Sequence, residues 1–441
     1  MALSFPKFNL WWLAWVALVP FFIALNRAEN WKGSAANGFV FGIVFFGVNL
    51  FWLTSLYRFV GGWIILGWVA LVVFQTLFIV LFALGKRGCL CGAKAIMIPA
   101  MWVVAEWLRS SGPFGVTAGD LGYSQSLFLP VIQIASLTTV YGVSYLIAFF
   151  NFTLAEWLED RRHWLGLTAA IMLILVSLVY GYKELGVKKI YSSQLRLAIV
   201  QPSIDQMDKM DIKKVLQNYL IHEQLTRQAM AALPDLIIWP ETALFTYLLH
   251  DPVLLPKVKQ LAIDSRAWLV MGTPHYEGNK IYNSIISISP SGEVVSRYDK
   301  QRPVPFGEYL PFRPILFPLL GSVGYYDQAF DANPQSKNVM VGKYRLASAI
   351  CFESTFPDFI GQRVKEGSDF ILVVTNDSWF ADSDAPYQHI EDGILRAVEN
   401  RQYFVQAANT GISAVFDPYG REVARSRINQ RMVLPAQITL P

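Results

Sequence analysis

Residues 344–354 read YRLASAICFES, a β-prone run that turns apolar and stops at a cysteine, Cys351, with a carboxylate, Glu353, two positions on. A lone thiol at the end of an apolar run is more often a small core residue than a nucleophile. Its neighbours along the chain decide between the two. LRLAIVQP (195–202), PDLIIWPE (234–241), AWLVMGTP (267–274), DFILVVTND (369–377) and YFVQAANT (403–410) also read as strands, and amphipathic stretches at 212–232 and 388–402 lie between them. Strands alternating with helices over roughly 240 residues specify an α/β domain large enough to bury its own core.

Sites in α/β folds are built at the carboxyl ends of strands. Three polar residues stand at such ends: Glu241 closes LIIWPE, Lys300 closes VVSRYDK and Cys351 closes RLASAI. A thiol becomes an effective nucleophile when a base takes its proton or a cation stabilises the thiolate. Glu241 and Lys300 are the residue types for those two tasks. Singly, each also fits a blander role: Glu241 as a cap after Pro240, Lys300 as a solvated charge beside Arg297, Cys351 as core.

The N-terminal half differs in composition. The chain has 441 residues, of which 54% are hydrophobic and 16% charged, and its mean hydropathy is +0.35. That is too apolar for an ordinary soluble protein and points to a membrane protein with a soluble part. Residues 1–183 hold apolar runs near 10–26, 35–57, 63–85, 95–109, 130–157 and 164–181, most of them close to the ~20 residues a membrane-crossing helix needs. Trp11, Trp12, Trp52, Tyr57, Trp107 and Trp157 crowd their ends, as suits the membrane–water boundary. An α-helical transmembrane bundle of about six spans over 1–183, a linker at Tyr182–Ser193 and an α/β domain over 194–437 are therefore expected.

Lys and Arg gather in the loops 26–33, 85–94 and 159–164, after the first, third and fifth spans. Placing these on the cytoplasmic side puts the N-terminus and everything after residue 183 outside. An N-terminus that starts outside leads us to expect a further span upstream of this chain. The net charge of +4 is small, and no Lys/Arg-rich run tracks a phosphate backbone, so nucleic acid is not an expected partner. The three cysteines, Cys89, Cys91 and Cys351, make neither a disulfide framework nor a four-ligand zinc site. With no metal-ligand cluster and no Gly-rich phosphate loop, no cofactor or metal is expected.

The order and flanks of the three strand-end residues resemble the nitrilase, or carbon–nitrogen hydrolase, superfamily: Glu in WPET, Lys in YDKQRPVPFGEY, Cys in AICFES. The apolar half narrows the resemblance to the apolipoprotein N-acyltransferase family. It extends over AEWLRSSGPFGVTAGDLGYSQS (105–126), YGVSYL (141–146), YNSIISI (282–288), VPFGEYLP (304–311), TNDSWF (375–380), YQHIEDGILRAVENRQ (387–402) and NTGISAVFDPYG (409–420). The resemblance implies a nitrilase-like αββα sandwich facing the periplasm from the bacterial inner membrane. It also implies transfer of an acyl chain from a phospholipid, through a cysteine thioester, to the α-amine of a diacylglyceryl lipoprotein.

Residue by residue, the resemblance implies Cys351 as nucleophile, Glu241 as general base and Lys300 as oxyanion stabiliser. Glu308 is expected to orient Lys300 or the amine. Asn283, Phe352 and Glu353 match further active-site positions, with Phe352 as a wall and Glu353 as an aid to thiol or amine placement. The chain departs from the pattern in QMDKMD (206–211), where Met210 stands in place of a tryptophan that some members carry. Relatives with one more span at each end are also expected. A segment at 311–326, including Tyr325 and Tyr326, is expected either to form a lid at the membrane interface or to pack on the domain. A membrane-tethered amidase and a non-catalytic copy are the alternative readings.

Overall fold

Small residues set how the apolar runs of the N-terminal half pack. Gly38 and Gly42 on the helix Trp31–Asn49 face the helix Trp63–Gly88. A Cβ on Gly42 would lie 2.7 Å from Thr76 Cγ2, and one on Gly38 would lie 3.0 Å from Ala83 Cβ. In lipid such close approach is the main source of helix–helix packing energy. Phe21, Phe22, Phe82 and Trp102 add an aromatic core, with the Phe82 and Trp102 rings 5.1 Å apart.

The computed structural model describes residues 1–89, 93–187, 193–321 and 330–440. The chain forms two compact units, Met1–Lys188 with Ser383–Glu399, and Lys189–Asp382 with Asn400–Pro441. Among the described residues, three helices in the first unit are long and apolar enough to cross a membrane: Trp63–Gly88, Ala135–Glu159 and Arg161–Gly186. Trp31–Asn49 and Phe51–Val60 together make a fourth candidate, bent by 50°. The other two apolar runs are shorter. Trp11–Asn26 is a short apolar helix, and Lys94–Arg109 has 16 residues, about 24 Å against a hydrocarbon core of ~30 Å. The last helix continues to Gly186, so the first part of the expected linker is helical; nothing before Gly186 breaks it, and Lys183 suits its C-terminal end. Cys91, Tyr325 and Tyr326 lie outside the described residues.

The first unit has a polar interior. Arg109 forms a buried ion pair with Asp120, while Glu106 accepts from Trp102 Nε1 at 2.7 Å and from the Leu121 N–H at 2.8 Å. These carboxylates tie the segment after Arg109 to the helices. The helix Ala385–Asn400 also packs in this unit up to Glu399, although strands of the second unit flank it in sequence. Its Glu391 accepts from Ser126 Oγ at 2.7 Å and Asn9 Nδ2 at 3.2 Å. Arg396 donates to the Tyr123 hydroxyl at 3.0 Å, and Glu399 accepts from the Val140 N–H at 2.7 Å.

In the second unit the strands are β1 (Ser193–Gln201), β2 (Leu236–Ile238), β3 (Trp268–Glu277), β4 (Lys280–Ile288), β5 (Val294–Asp299), β6 (Val339–Val341), β7 (Tyr344–Ile350), β8 (Phe370–Thr375), β9 (Phe404–Ala408), β10 (Ala414–Phe416), β11 (Glu422–Arg425) and β12 (Met432–Leu440). They form two six-stranded sheets, ordered β12-β1-β2-β3-β4-β5 and β11-β10-β9-β8-β7-β6. Each has a parallel centre, β1-β2-β3 in one and β7-β8-β9 in the other, flanked by antiparallel strands. The central strands are buried on both faces, which is why they read as continuous apolar runs rather than alternating ones. Helices Val215–Ala229 and Leu254–Ser265 cover the first sheet, placing Tyr219, Leu225, Val258 and Leu261 in one core with Ile237 and Leu269.

Candidate active site

Glu241 stands three residues beyond β2, in a turn that begins with the buried Trp239, whose Nε1 donates to Thr226 Oγ1 at 2.9 Å. The turn rests on bare backbone of β3. Pro240 O accepts from the Gly272 N–H at 3.2 Å, and Gly272 O accepts from the Ala243 N–H at 2.9 Å. A Cβ at Gly272 would lie 2.6 Å from Glu241 Cα, so only glycine lets the carboxylate sit here.

Lys300 follows β5, and its N–H donates to the carbonyl of Asn283 on β4 at 2.8 Å. Its ammonium is 2.8 Å from Glu308 Oε2 and 3.8 Å from Glu241 Oε1. Asn283 Nδ2 donates to Glu241 Oε1 at 2.7 Å and to Glu308 Oε1 at 2.9 Å, joining the two carboxylates through one amide. Glu308 also accepts from the Val304 N–H at 2.8 Å. Burial pushes the Glu241 carboxyl up from its ordinary range, while Lys300 opposes that shift. For Lys300, burial works against the charge, but Glu308 and Glu241 outweigh it and hold the ammonium well above the usual lysine value.

Cys351 is the first residue after β7, at φ 52°, a left-handed conformation that costs a residue with a Cβ of order 1 kcal/mol. The strand ends there and a short 3₁₀ turn, Cys351–Thr355, begins. Burial, with the nearby Glu241 charge, pushes the thiol well above the ordinary cysteine range; Lys300 and a hydrogen bond with Thr375 pull the other way. A thiol held in this way needs a base before it can act as a nucleophile.

Glu353 occupies a different place. It is fully buried and accepts four hydrogen bonds, from the N–H groups of Gln301 (2.7 Å), Arg302 (2.9 Å) and Ile350 (2.8 Å) and from the Tyr298 hydroxyl (2.8 Å). It fastens the turn after Lys300 to the turn that carries Cys351. Phe352 is half-buried with its ring 4.8 Å from that of Phe356, edge to face. In the expected lid, the described part is the helix Arg313–Gly321, with Phe312 and Ile315 exposed.

Lys209 escapes the reading of strand ends, because it sits on the short helix Gln206–Met210 after β1. It is 3% exposed and its ammonium donates to the main-chain carbonyl of Glu241 at 2.8 Å. Its helix is held by an amide cluster: Gln206 Oε1 accepts from Asn376 Nδ2 at 2.7 Å and Ser378 Oγ at 3.0 Å, and Asn409 Nδ2 donates to Asn376 Oδ1 at 3.0 Å. The segments TNDSWF and NTG, whose function no strand-end argument explains, thus brace the region around Lys209.

A cysteine, a carboxylate and a lysine converging at strand ends between two such sheets define a carbon–nitrogen hydrolase fold, and the carbon–nitrogen hydrolase family profile matches residues 196–441. The profile for the apolipoprotein N-acyltransferase N-terminal domain matches residues 1–153. The apolipoprotein N-acyltransferase of Geobacter metallireducens is 35% identical over 100% of this chain and 87% of its own length. That of Pasteurella multocida is 30% identical over 96% of this chain and 84% of its own. Among solved structures, the C. elegans NitFhit protein matches 57% of this chain and 62% of its own at 19% identity, with a TM-score of 0.45. The chain belongs to the apolipoprotein N-acyltransferase family, a family of membrane acyltransferases.

Proposed function

We propose that this chain N-acylates the diacylglyceryl-cysteine of lipoproteins, using membrane phospholipid as the acyl donor and Cys351 as the carrier. The observation that carries the reading is the hydrogen-bonded cluster Glu241–Asn283–Glu308–Lys300, whose charges act on the buried Cys351 thiol. Glu241 takes the thiol proton as sulfur attacks the ester carbonyl carbon. Lys300 stabilises the resulting oxyanion, which in a dry site is the largest single contribution. Collapse breaks the ester C–O bond, and the lysophospholipid alkoxide leaves with the proton from Glu241. The lipoprotein α-amine then attacks the thioester and gives a proton to Glu241, and the C–S bond breaks to return the thiol once the thiolate recovers that proton.

In this reading the loops 26–33, 85–94 and 159–164 lie on the cytoplasmic face of the bacterial inner membrane and the second unit lies in the periplasm. The exposed Phe312 and Ile315 are suited to meet acyl chains at the interface. The test is reconstitution with phospholipid and a diacylated lipopeptide, following triacylated product by mass. Wild type is expected to form it and Cys351→Ala is not. Product from the alanine variant would remove Cys351 as carrier, and ammonia release from simple amides without triacylated product would make the chain an amidase.

A further inference from the structure

We infer that Lys209 is a positioning residue for the reaction: its buried ammonium, anchored on the carbonyl of Glu241, keeps the Glu241 carboxylate ionised and ready to take the thiol proton. The inference rests on Glu241 being the base.

The charges around the site show why a second cation is needed. Glu241 interacts electrostatically with Lys300, Glu308, Lys209 and Cys351, and Lys209 with Glu241, Cys351 and His222. Glu353 adds a further buried carboxylate that interacts with Lys300. Lys300 is shared, and its ammonium stands 2.8 Å from Glu308 but 3.8 Å from Glu241. Glu308 therefore takes the closer contact and, as a like charge, disfavours ionisation of Glu241. Lys209 approaches Glu241 from its main-chain side and favours ionisation. Burial lowers the Lys209 pKa to about 8, which leaves it charged at neutral pH.

Its position is built into the fold. The buried amide cluster Gln206–Asn376–Asn409 holds the short helix from one side. Asn218 Nδ2, donating to Asp208 O at 3.2 Å, holds it from the other. A lysine kept dry and aimed at a peptide carbonyl would be an expensive way to make one hydrogen bond. Its charge close to Glu241 and Cys351 gives it a function.

The test is the pH dependence of single-turnover thioester formation on Cys351, with phospholipid and no acceptor. Wild type is expected to show an acid limb, and Glu241→Gln is expected to lose the reaction. In Lys209→Met and Lys209→Gln the acid limb is expected to move up by about one pH unit, roughly a tenfold loss on its acid side; Lys209→Arg is expected to bring it back towards wild type. Lys209→Gln keeps an amide donor for the carbonyl, so it keeps the test decisive if the methionine variant does not fold. A uniform loss of rate with the limb unmoved, in either folded neutral variant, would overturn the inference. Undiminished thioester formation by Glu241→Gln would instead overturn the assignment of the base.

Discussion

Glu308, rather than Glu241, holds the ammonium of Lys300: the contact is 2.8 Å to the first and 3.8 Å to the second. The closer ion pair of the lysine is thus with Glu308, and the proposed mechanism leaves the proton transfers to Glu241. Asn283 Nδ2 donates to both carboxylates and joins them.

Replacing Glu308 by Gln should keep the shape and remove the charge. Lys300 then loses the stronger of the carboxylates that hold its pKa up, so burial draws it down. Turnover is expected to fall about 10²-fold, with an alkaline limb entering at lower pH than in wild type. Unchanged turnover across pH 6–10 would show that Glu308 does not serve Lys300.

The raised Cys351 pKa makes a chemical prediction. Alkylation follows the thiolate, so its rate at Cys351, read from the Cys351 peptide by mass spectrometry, is expected to keep rising with pH beyond the ordinary cysteine value of about 8.5. A plateau near that value would mean that the thiol is not held protonated.

Gly272→Ala puts a Cβ 2.6 Å from Glu241 Cα. Overpacking of this kind costs about 1–3 kcal/mol, and the displaced turn should cost activity more than stability. We expect the variant to fold and to lose at least tenfold in turnover. Full activity would show that the turn has room to move.

His222 is buried against Trp239, ring centroids 4.7 Å apart, with Nδ1 2.8 Å from Asn218 O. Burial lowers its pKa to about 4. A depressed folded pKa means stability that is present above the unfolded value of about 6.5 and is lost as pH falls through 4. Its contribution is about 3 kcal/mol at most. Unfolding midpoints measured from pH 7 to 4 should fall more steeply in wild type than in His222→Gln; parallel curves would remove His222 as the cause.

In the first unit, Arg396 and Glu399 form a buried pair at 2.8 Å. Arg396→Met leaves a buried carboxylate short of its partner and is expected to cost about 3–5 kcal/mol. Arg396→Met with Glu399→Leu should recover much of that. Equal thermal unfolding of single and double variants in detergent would show that the pair carries no such coupling.

How much of this is legible in the chain depends on range. Strands β1, β2, β3, β7, β8 and β9 announce themselves, because central parallel strands are buried on both faces and leave unbroken apolar runs. The strands β6, β10 and β11, at or next to a sheet edge, are short and carry less pattern. Apolar runs mark membrane helices, and the short run at 95–109 matches the helix Lys94–Arg109, yet they do not show that Trp31–Val60 is bent. The bend depends on neighbours.

By itself the sequence determined the two-part plan and the residue types at the strand ends: apolar content and strand periodicity are local properties. Only the tertiary structure decided which carboxylate meets which cation. Glu353, two residues from Cys351, accepts from backbone N–H groups and the Tyr298 hydroxyl, whereas Lys300 is met by Glu308 from the segment just after it and by Glu241 from a turn far off in sequence. It also decided that Lys209 is buried beside Glu241 and that residues 385–399 pack in the first unit. Charge pairing and burial are set by distances in space that the order of residues along a chain does not carry.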